Sequence, residues 1–152
     1  MKKLLVLLTL YSGFTFAQDT ENTAIQQLID RFFEGFHQRD TLVLKETVSD
    51  SVILQTVSKS NSGGNEVHTE SFSSFLRSIS RIPDSIRFKE VLFDYKIRVD
   101  GPMANAWTPY EFWIDEQFSH CGVNSFQLAK LDGVWKIIYL IDTRRKEGCD
   151  GE

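Results

Sequence analysis

The chain lacks most of the features that announce a particular chemistry. Its three histidines stand at 37, 68 and 120, and none has a neighbour at metal-ligand spacing such as His-x-x-x-His. That argues against a zinc centre, and neither a metal nor a cofactor is expected. There is no Gly-x-Ser-x-Gly elbow and no phosphate-cradling glycine loop. Basic residues gather only at Arg144, Arg145 and Lys146 in a chain of net charge −4, which argues against nucleic acid or an anionic membrane as partner. Repeats, linkers and low-complexity tracts are also missing, so one domain accounts for the length.

The one long apolar run, Leu4 to Phe16, is too short to span a membrane comfortably and no stop-transfer pattern follows it. Lys2 and Lys3 precede it, and Thr15-Phe16-Ala17 puts small residues at the positions a signal peptidase reads. Residues 1–17 are expected to be a cleaved signal peptide and 18–152 the exported domain, periplasmic or secreted. No cysteine follows the cleavage point, which argues against a lipid anchor. Cleavage removes two lysines and no acid, so the mature chain is more acidic still. Only two cysteines are present, Cys121 and Cys149. In an oxidising compartment such a pair reads first as a disulfide, with buried free thiols as the alternative. A nucleophilic Cys121 beside His120 is disfavoured, because adjacent strand residues point to opposite faces.

What is present is patterned. Ile25, Leu28, Ile29, Phe32 and Phe36 make one face of a helix over Thr23–Gln38, with Asn22 or Thr23 as its cap. Asp40 is placed to cap a second helix, Thr41–Val48. A strand over Ser51–Val57, a polar turn through Ser58–Asn65 and a return strand over Glu66–Thr69 follow. Ser71 caps a third helix with Phe72, Phe75, Leu76 and Ile79 as its stripe, which Pro83 ends. Ile86 to Val99 reads as one long strand with a bulge near Glu90 or Val91. Three more strands occupy residues 104–149, joined by Asp115-Glu116-Gln117 and Asp132-Gly133. Helices segregated to one side of an antiparallel sheet define an α+β domain, the bent sheet wrapping the first helix around a hollow.

Two stretches carry a family resemblance: Phe32-Phe33…Phe36…Asp40 early, and Asp132-Gly133-Val134-Trp135-Lys136-Ile137 late. The chain resembles the nuclear transport factor 2-like superfamily. Within it, Tyr110…Phe112…His120-Cys121-Gly122…Phe126…Trp135-Lys136-Ile137…Thr143-Arg144-Arg145…Cys149 is similar to small exported bacterial members of the lumazine-binding-like and polyketide-cyclase-like kinds. The resemblance implies a cone-shaped α+β fold. It leaves function open, since that fold hosts isomerases, dehydratases, cyclases and binding proteins.

Hairpin register sorts the candidates by face. A two-residue turn at Asp132-Gly133 pairs Leu131 with Val134, Leu128 with Ile137 and Phe126 with Tyr139. A three-residue turn at 115–117 pairs Phe112 with His120 and Thr108 with Asn124. The inner face then carries Thr108, Tyr110, Phe112, His120, Asn124, Phe126 and Tyr139. Glu111, Asp142 and Arg144 fall outside, and Trp107, Ile138 and Leu140 form a convex face suited to a homodimer.

His120 is the candidate acid or base, or else a hydrogen-bonded rim histidine. Tyr110 is a candidate oxyanion donor, or a core tyrosine. Asn124 and Thr108 join them, with Phe36, Phe112, Phe126 and Tyr139 as apolar lining. Arg145 or Arg144 is suited to holding an anion, or to an ion pair between Arg144 and Glu111. Asp40 is read first as a helix cap and second as a base. His68 is within reach of the cone mouth. The leading expectation is a protein that binds a small aromatic or heterocyclic molecule. A cofactor-independent isomerase, dehydratase or cyclase using His120, and a structural dimer, are the rivals.

Overall fold

A computed structural model describes residues 13–60 and 63–149. Three helices, α1 (Gly13–Gln38), α2 (Thr41–Thr47) and α3 (Phe72–Ser80), accompany seven strands. The strands are β1 (Val48–Lys59), β2 (Asn65–Glu70), β3 (Phe88–Leu92), β4 (Lys96–Asp100), β5 (Met103–Ile114), β6 (Gln117–Leu131) and β7 (Val134–Thr143). The sheet is curved and unclosed, with strand order β2-β1-β7-β6-β5-β3 and β4 paired to the other half of β5. Neighbours are antiparallel except β1 and β7, which run parallel. The expected α+β cone is the observed fold class. Residues 1–12 of the expected leader lie outside the described residues, and Gly13 to Ala17 continue α1.

The helical stripe forms the core as its spacing requires. Ile25, Ile29, Phe32 and Phe33 are buried against Ala104, Ala106, Phe126, Leu128 and Ile137 of the sheet. Thr23 is not a cap: it lies within α1, its hydroxyl donating to the Asp19 carbonyl. The helix ends in a left-handed residue, Arg39 (φ 58°), with Asp40 N–H returning to the Gly35 carbonyl at 2.8 Å. Glycine is usual at that position, and a side chain there costs about 1 kcal/mol. Here the side chain offsets the cost. Its guanidinium donates to the carbonyls of Pro83 and Ile86 and lies 5.2 Å from the centre of the Phe88 ring. Asp40 then caps α2, its carboxylate accepting from the Leu42 and Val43 N–H groups.

At the narrow end of the cone, Glu21 ties α1 to the β6–β7 hairpin. It accepts from Lys130 Nζ and from Trp135 Nε1, each at 2.6 Å. Those hydrogen bonds, Lys130's first, hold its carboxyl below the usual carboxylate range.

Two irregularities decide which residues face inward. Asp115 (φ 47°) and Glu116 (φ 65°) make a two-residue turn, not the three-residue turn expected, so Ile114 pairs with Gln117. A bulge at Ser119 then restores the expected pairs, Phe112 with His120 and Thr108 with Asn124. The Asp132-Gly133 turn pairs Leu131 with Val134 and Leu128 with Ile137, as expected. Beyond it, a second bulge at Ile138 breaks the alternation of β7. Phe126 pairs with Leu140 rather than Tyr139, and Gln127 with Tyr139. Every residue of β7 after Ile138 is therefore inverted relative to the sequence reading: Leu140 and Asp142 turn inward, Tyr139 and Ile141 outward. The long strand expected over Ile86–Val99 is two strands. It breaks at Phe93–Tyr95, not at Glu90 or Val91, where the pairing with β5 is regular.

Candidate functional site

The inverted end of β7 completes a row of polar side chains across five strands. Thr108 pairs with Asn124, Asn124 with Asp142, Asp142 with Thr56, and Thr56 with His68. Paired residues on neighbouring strands share a face, so these five lie side by side on the concave surface. Exposure rises along the row. Thr108 is fully buried and Asn124 is 4 % exposed. The side chain of Asp142 is 12 % exposed and that of His68 59 %. The next row towards the narrow end, Ala106, Phe126, Leu140 and Leu54, is apolar. On β2 that row ends in Glu70, which pairs with Leu54, so polar groups line the cavity at more than one level.

Above these rows lies a cavity of about 420 Å³. Phe32, Phe33, Phe36 and Phe75 form its apolar side, with the Phe36 and Phe75 rings stacked at 5.9 Å. The polar side brings Glu90, Asn124, Asp142 and Arg144 together, with His68 and Glu70 also in the lining. Asn124 Nδ2 donates to Glu90 Oε1 at 2.6 Å. Asp142 accepts from Arg144 Nε at 2.8 Å, from the Tyr110 hydroxyl at 3.2 Å and from the Thr56 hydroxyl.

Glu90 enters from β3, where Phe88-x-Glu90-x-Leu92 alternates inward. Its side chain is half-buried and lines the cavity. Burial, countered by the Asn124 hydrogen bond and reinforced by Asp142, pushes its pKa up to about 8. At neutral pH it is mostly the protonated acid, a hydrogen-bond donor.

The expected site residues divide into four groups. Asn124 and Phe36 line the cavity. Thr108, Tyr110 and Phe126 face the same way but are sealed beneath it. The Tyr110 hydroxyl is already directed at Asp142 and at the Thr143 carbonyl, 3.0 Å away. Its pKa is driven up first by burial and then by the charges of Asp142 and Glu90. Thr108 Oγ1 has no hydrogen-bond partner.

Phe112 and His120 sit together at 5.0 Å, with Phe112 6.2 Å from Phe36. They are absent from the cavity lining. Burial, then the Arg144 charge, lowers the His120 pKa, and its Nδ1 lies 3.1 Å from Ser119 Oγ.

Three expected residues point elsewhere. Tyr139 is on the outer face, its hydroxyl donating to Gln55 Oε1 at 2.6 Å. Arg145 folds onto the Gly148 carbonyl, at 2.9 and 3.1 Å from its two donors, because the β7 bulge gives the inward position to Arg144. Asp40 is the cap of α2. Cys121 and Cys149 form a disulfide with Cα atoms 5.8 Å apart.

Asp142 and Arg144, expected outside, face the cavity, and Leu140, expected on the convex face, lines it. The cavity lining therefore carries three carboxyl groups, those of Glu70, Glu90 and Asp142, where none was expected on the inner face of the sheet. Glu90 had a readable signal, a lone acid at an inward position between Phe88 and Leu92. The placement of Asp142 and Arg144 had none, since a one-residue bulge leaves no mark on an alternating pattern.

No protein-family model matches the chain, and no curated protein does. Solved structures do. An NTF2-like protein of unknown function from Shewanella baltica aligns with a TM-score of 0.63 at 15% identity, covering 85% of this chain and 97% of that one. A protein with a cystatin-like fold from Nostoc punctiforme gives 0.65 at 13% identity, over 88% and 96%. The chain has the nuclear transport factor 2-like fold. A candidate dehydratase of the NTF2-like family from Streptomyces avermitilis shares that fold with a TM-score of 0.64 at 16% identity, over 84% and 98%. At these identities the likeness is one of fold. The disulfide is compatible with an exported soluble protein, and no helix among the described residues is long and apolar enough to cross a membrane.

Proposed function

We propose that this nuclear transport factor 2-like chain is an exported protein that binds a small planar aromatic or heterocyclic molecule in the cone cavity. The observation that carries this reading is the pairing of a phenylalanine wall with a polar side holding Glu90, Asn124, Asp142 and Arg144. A planar ring is matched to Phe36 and Phe75, and a ligand carbonyl to the protonated Glu90. The finer likeness to lumazine-binding-like and polyketide-cyclase-like proteins belongs to this proposal. So do cleavage after Ala17 and a homodimer through the outer sheet face, where Trp107 is 49 % exposed.

Thermal-shift and calorimetric titration with neutral aromatic and heterocyclic compounds tests the binding. A compound at a hundred times its Kd adds about 2.7 kcal/mol to stability. Phe75→Ala and Glu90→Ala should each weaken that gain, and no stabilisation by any such compound would sink the reading. Sedimentation of wild type against Trp107→Glu tests the dimer.

A second reading is favoured by one specific observation. A half-buried acid with a pKa pushed up to about 8 beside a second carboxyl group is suited to moving a proton at neutral pH. Such an isomerase, dehydratase or cyclase would use Glu90 where the sequence pointed to His120. The candidate dehydratase from Streptomyces avermitilis is in keeping with it. Turnover that survives Glu90→Gln would rule this out.

A further inference from the structure

We infer that His37 is a positioning residue for Glu90: its imidazole accepts the Glu90 main-chain N–H and fixes the edge strand that delivers the carboxyl to the cavity. The inference rests on the reading of that cavity as the functional site. β3 ends the sheet order and pairs only with β5, so its other edge needs a partner. Glu90 N–H finds one in His37 Nε2 at 2.9 Å. A main-chain N–H can only donate, so Nε2 carries the lone pair and Nδ1 the proton.

The ring is held by aromatic contacts, with Phe36 at 5.7 Å, Phe33 at 6.1 Å and Phe88 at 6.5 Å between centroids. Burial, then the Lys89 charge, lowers its pKa to about 4, so the accepting form persists through neutral pH. His37 also packs beside Glu90 at the surface. It lines two surface clefts of about 670 and 390 Å³, and Glu90 lines the second of these as well as the cavity. The charged and titratable groups around the pair are Asp142, Arg144, Glu70 and His68 on the cavity side, Arg87, Lys89 and Glu116 at the first cleft, and Lys89, Asp30, Glu34 and Tyr95 at the second.

An acid stays protonated at neutral pH only while its surroundings stay dry. If β3 swings away from α1, the cleft that Glu90 already lines widens, more water reaches the carboxyl and its proton affinity falls. His37 therefore sets the chemistry of Glu90 without touching a ligand.

The test is a carbon-detected NMR titration of the Glu90 carboxyl in the full chain, wild type against three variants. His37→Gln keeps an acceptor, since Oε1 is as many bonds from Cα as Nε2, and should retain the wild-type midpoint. His37→Ala should lower it by about one unit or more as water enters. His37→Phe fills the space without an acceptor and should lower it as alanine does. An unchanged midpoint in alanine, or one retained by phenylalanine, overturns the inference. If alanine does not fold, glutamine against phenylalanine decides it.

A trans-hydrogen-bond nitrogen coupling between Glu90 and His37 Nε2 reports the contact directly, and its absence also overturns the inference. An ordinary carboxylate midpoint in wild type with that coupling present would instead sink the acid–base reading of the cavity and leave His37's hold on β3 standing.

Discussion

A Cβ atom on Gly122 would lie 1.8 Å from the carbonyl oxygen of Thr143 and 2.9 Å from Tyr110 Cε1. β6 carries glycine there because the end of β7 and the Tyr110 ring both occupy the place of a side chain. That close approach brings the Thr143 carbonyl to the Tyr110 hydroxyl and sets Asp142 beside Asn124. Gly122→Ala must push the end of β7 away. We expect a loss of about 2–3 kcal/mol in urea unfolding, the upper range for overpacking, together with weakened ligand binding. An alanine variant as stable as wild type would contradict this account.

The disulfide closes a loop of 28 residues around the same region. Its main effect is to restrict the unfolded chain, worth roughly 3–4 kcal/mol for that loop length. Cys121→Ala with Cys149→Ala should lower stability by about that amount. Reducing agent should do the same to wild type and nothing to the double variant.

Glu90 and Glu21 tie stability to pH with opposite signs. Glu90's folded pKa is raised, so its contribution is fully present below the unfolded value of 4.5. It is lost as pH rises towards about 8 and stays lost above. Glu21's folded pKa is lowered, so its contribution is present above 4.5 and is lost as pH falls through the folded value. Glu90→Gln should therefore remove the alkaline decline, gaining on wild type between about pH 5 and pH 8. Glu21→Gln should remove part of the acid decline. Unfolding midpoints across that range check both, and a wild-type stability that rises from pH 5 to pH 8 would contradict the Glu90 assignment.

Arg39 separates backbone strain from anchoring. Arg39→Ala loses the contacts to Pro83, Ile86 and Phe88 and keeps the strained φ. Arg39→Gly loses the contacts and relieves the strain. We expect glycine to be more stable than alanine by about 1 kcal/mol, with both below wild type, as thermal unfolding would report.

The fold was legible in the sequence because its signals are redundant. The Ile25–Phe36 stripe, the Asp40 and Ser71 caps and the Asp132-Gly133 turn each report an element and agree with one another. The site was legible only in part. Asn124 follows from hairpin register within β5 and β6, which local turn chemistry sets. The register even reached Phe112 and His120 correctly by the wrong turn, since the shorter loop and the Ser119 bulge compensate. Asp142 and Arg144 depend on the Ile138 bulge. Thr56 and His68 depend on the parallel contact between β1 and β7, which joins distant parts of the chain. No periodicity within one strand encodes either.

That bulge has an evolutionary consequence. Were β7 to run through Ile138 without the bulge, Trp135 and Ile137 would stay in the core and the faces of everything after Ile138 would be exchanged. Tyr139, Ile141 and Thr143 would then line the cavity in place of Leu140, Asp142 and Arg144. The chamber would lose Asp142 and Arg144 and keep Glu90, with no substitution among the residues that line it. Gain or loss of a bulge near this hairpin is thus a short route by which one scaffold acquires different ligands.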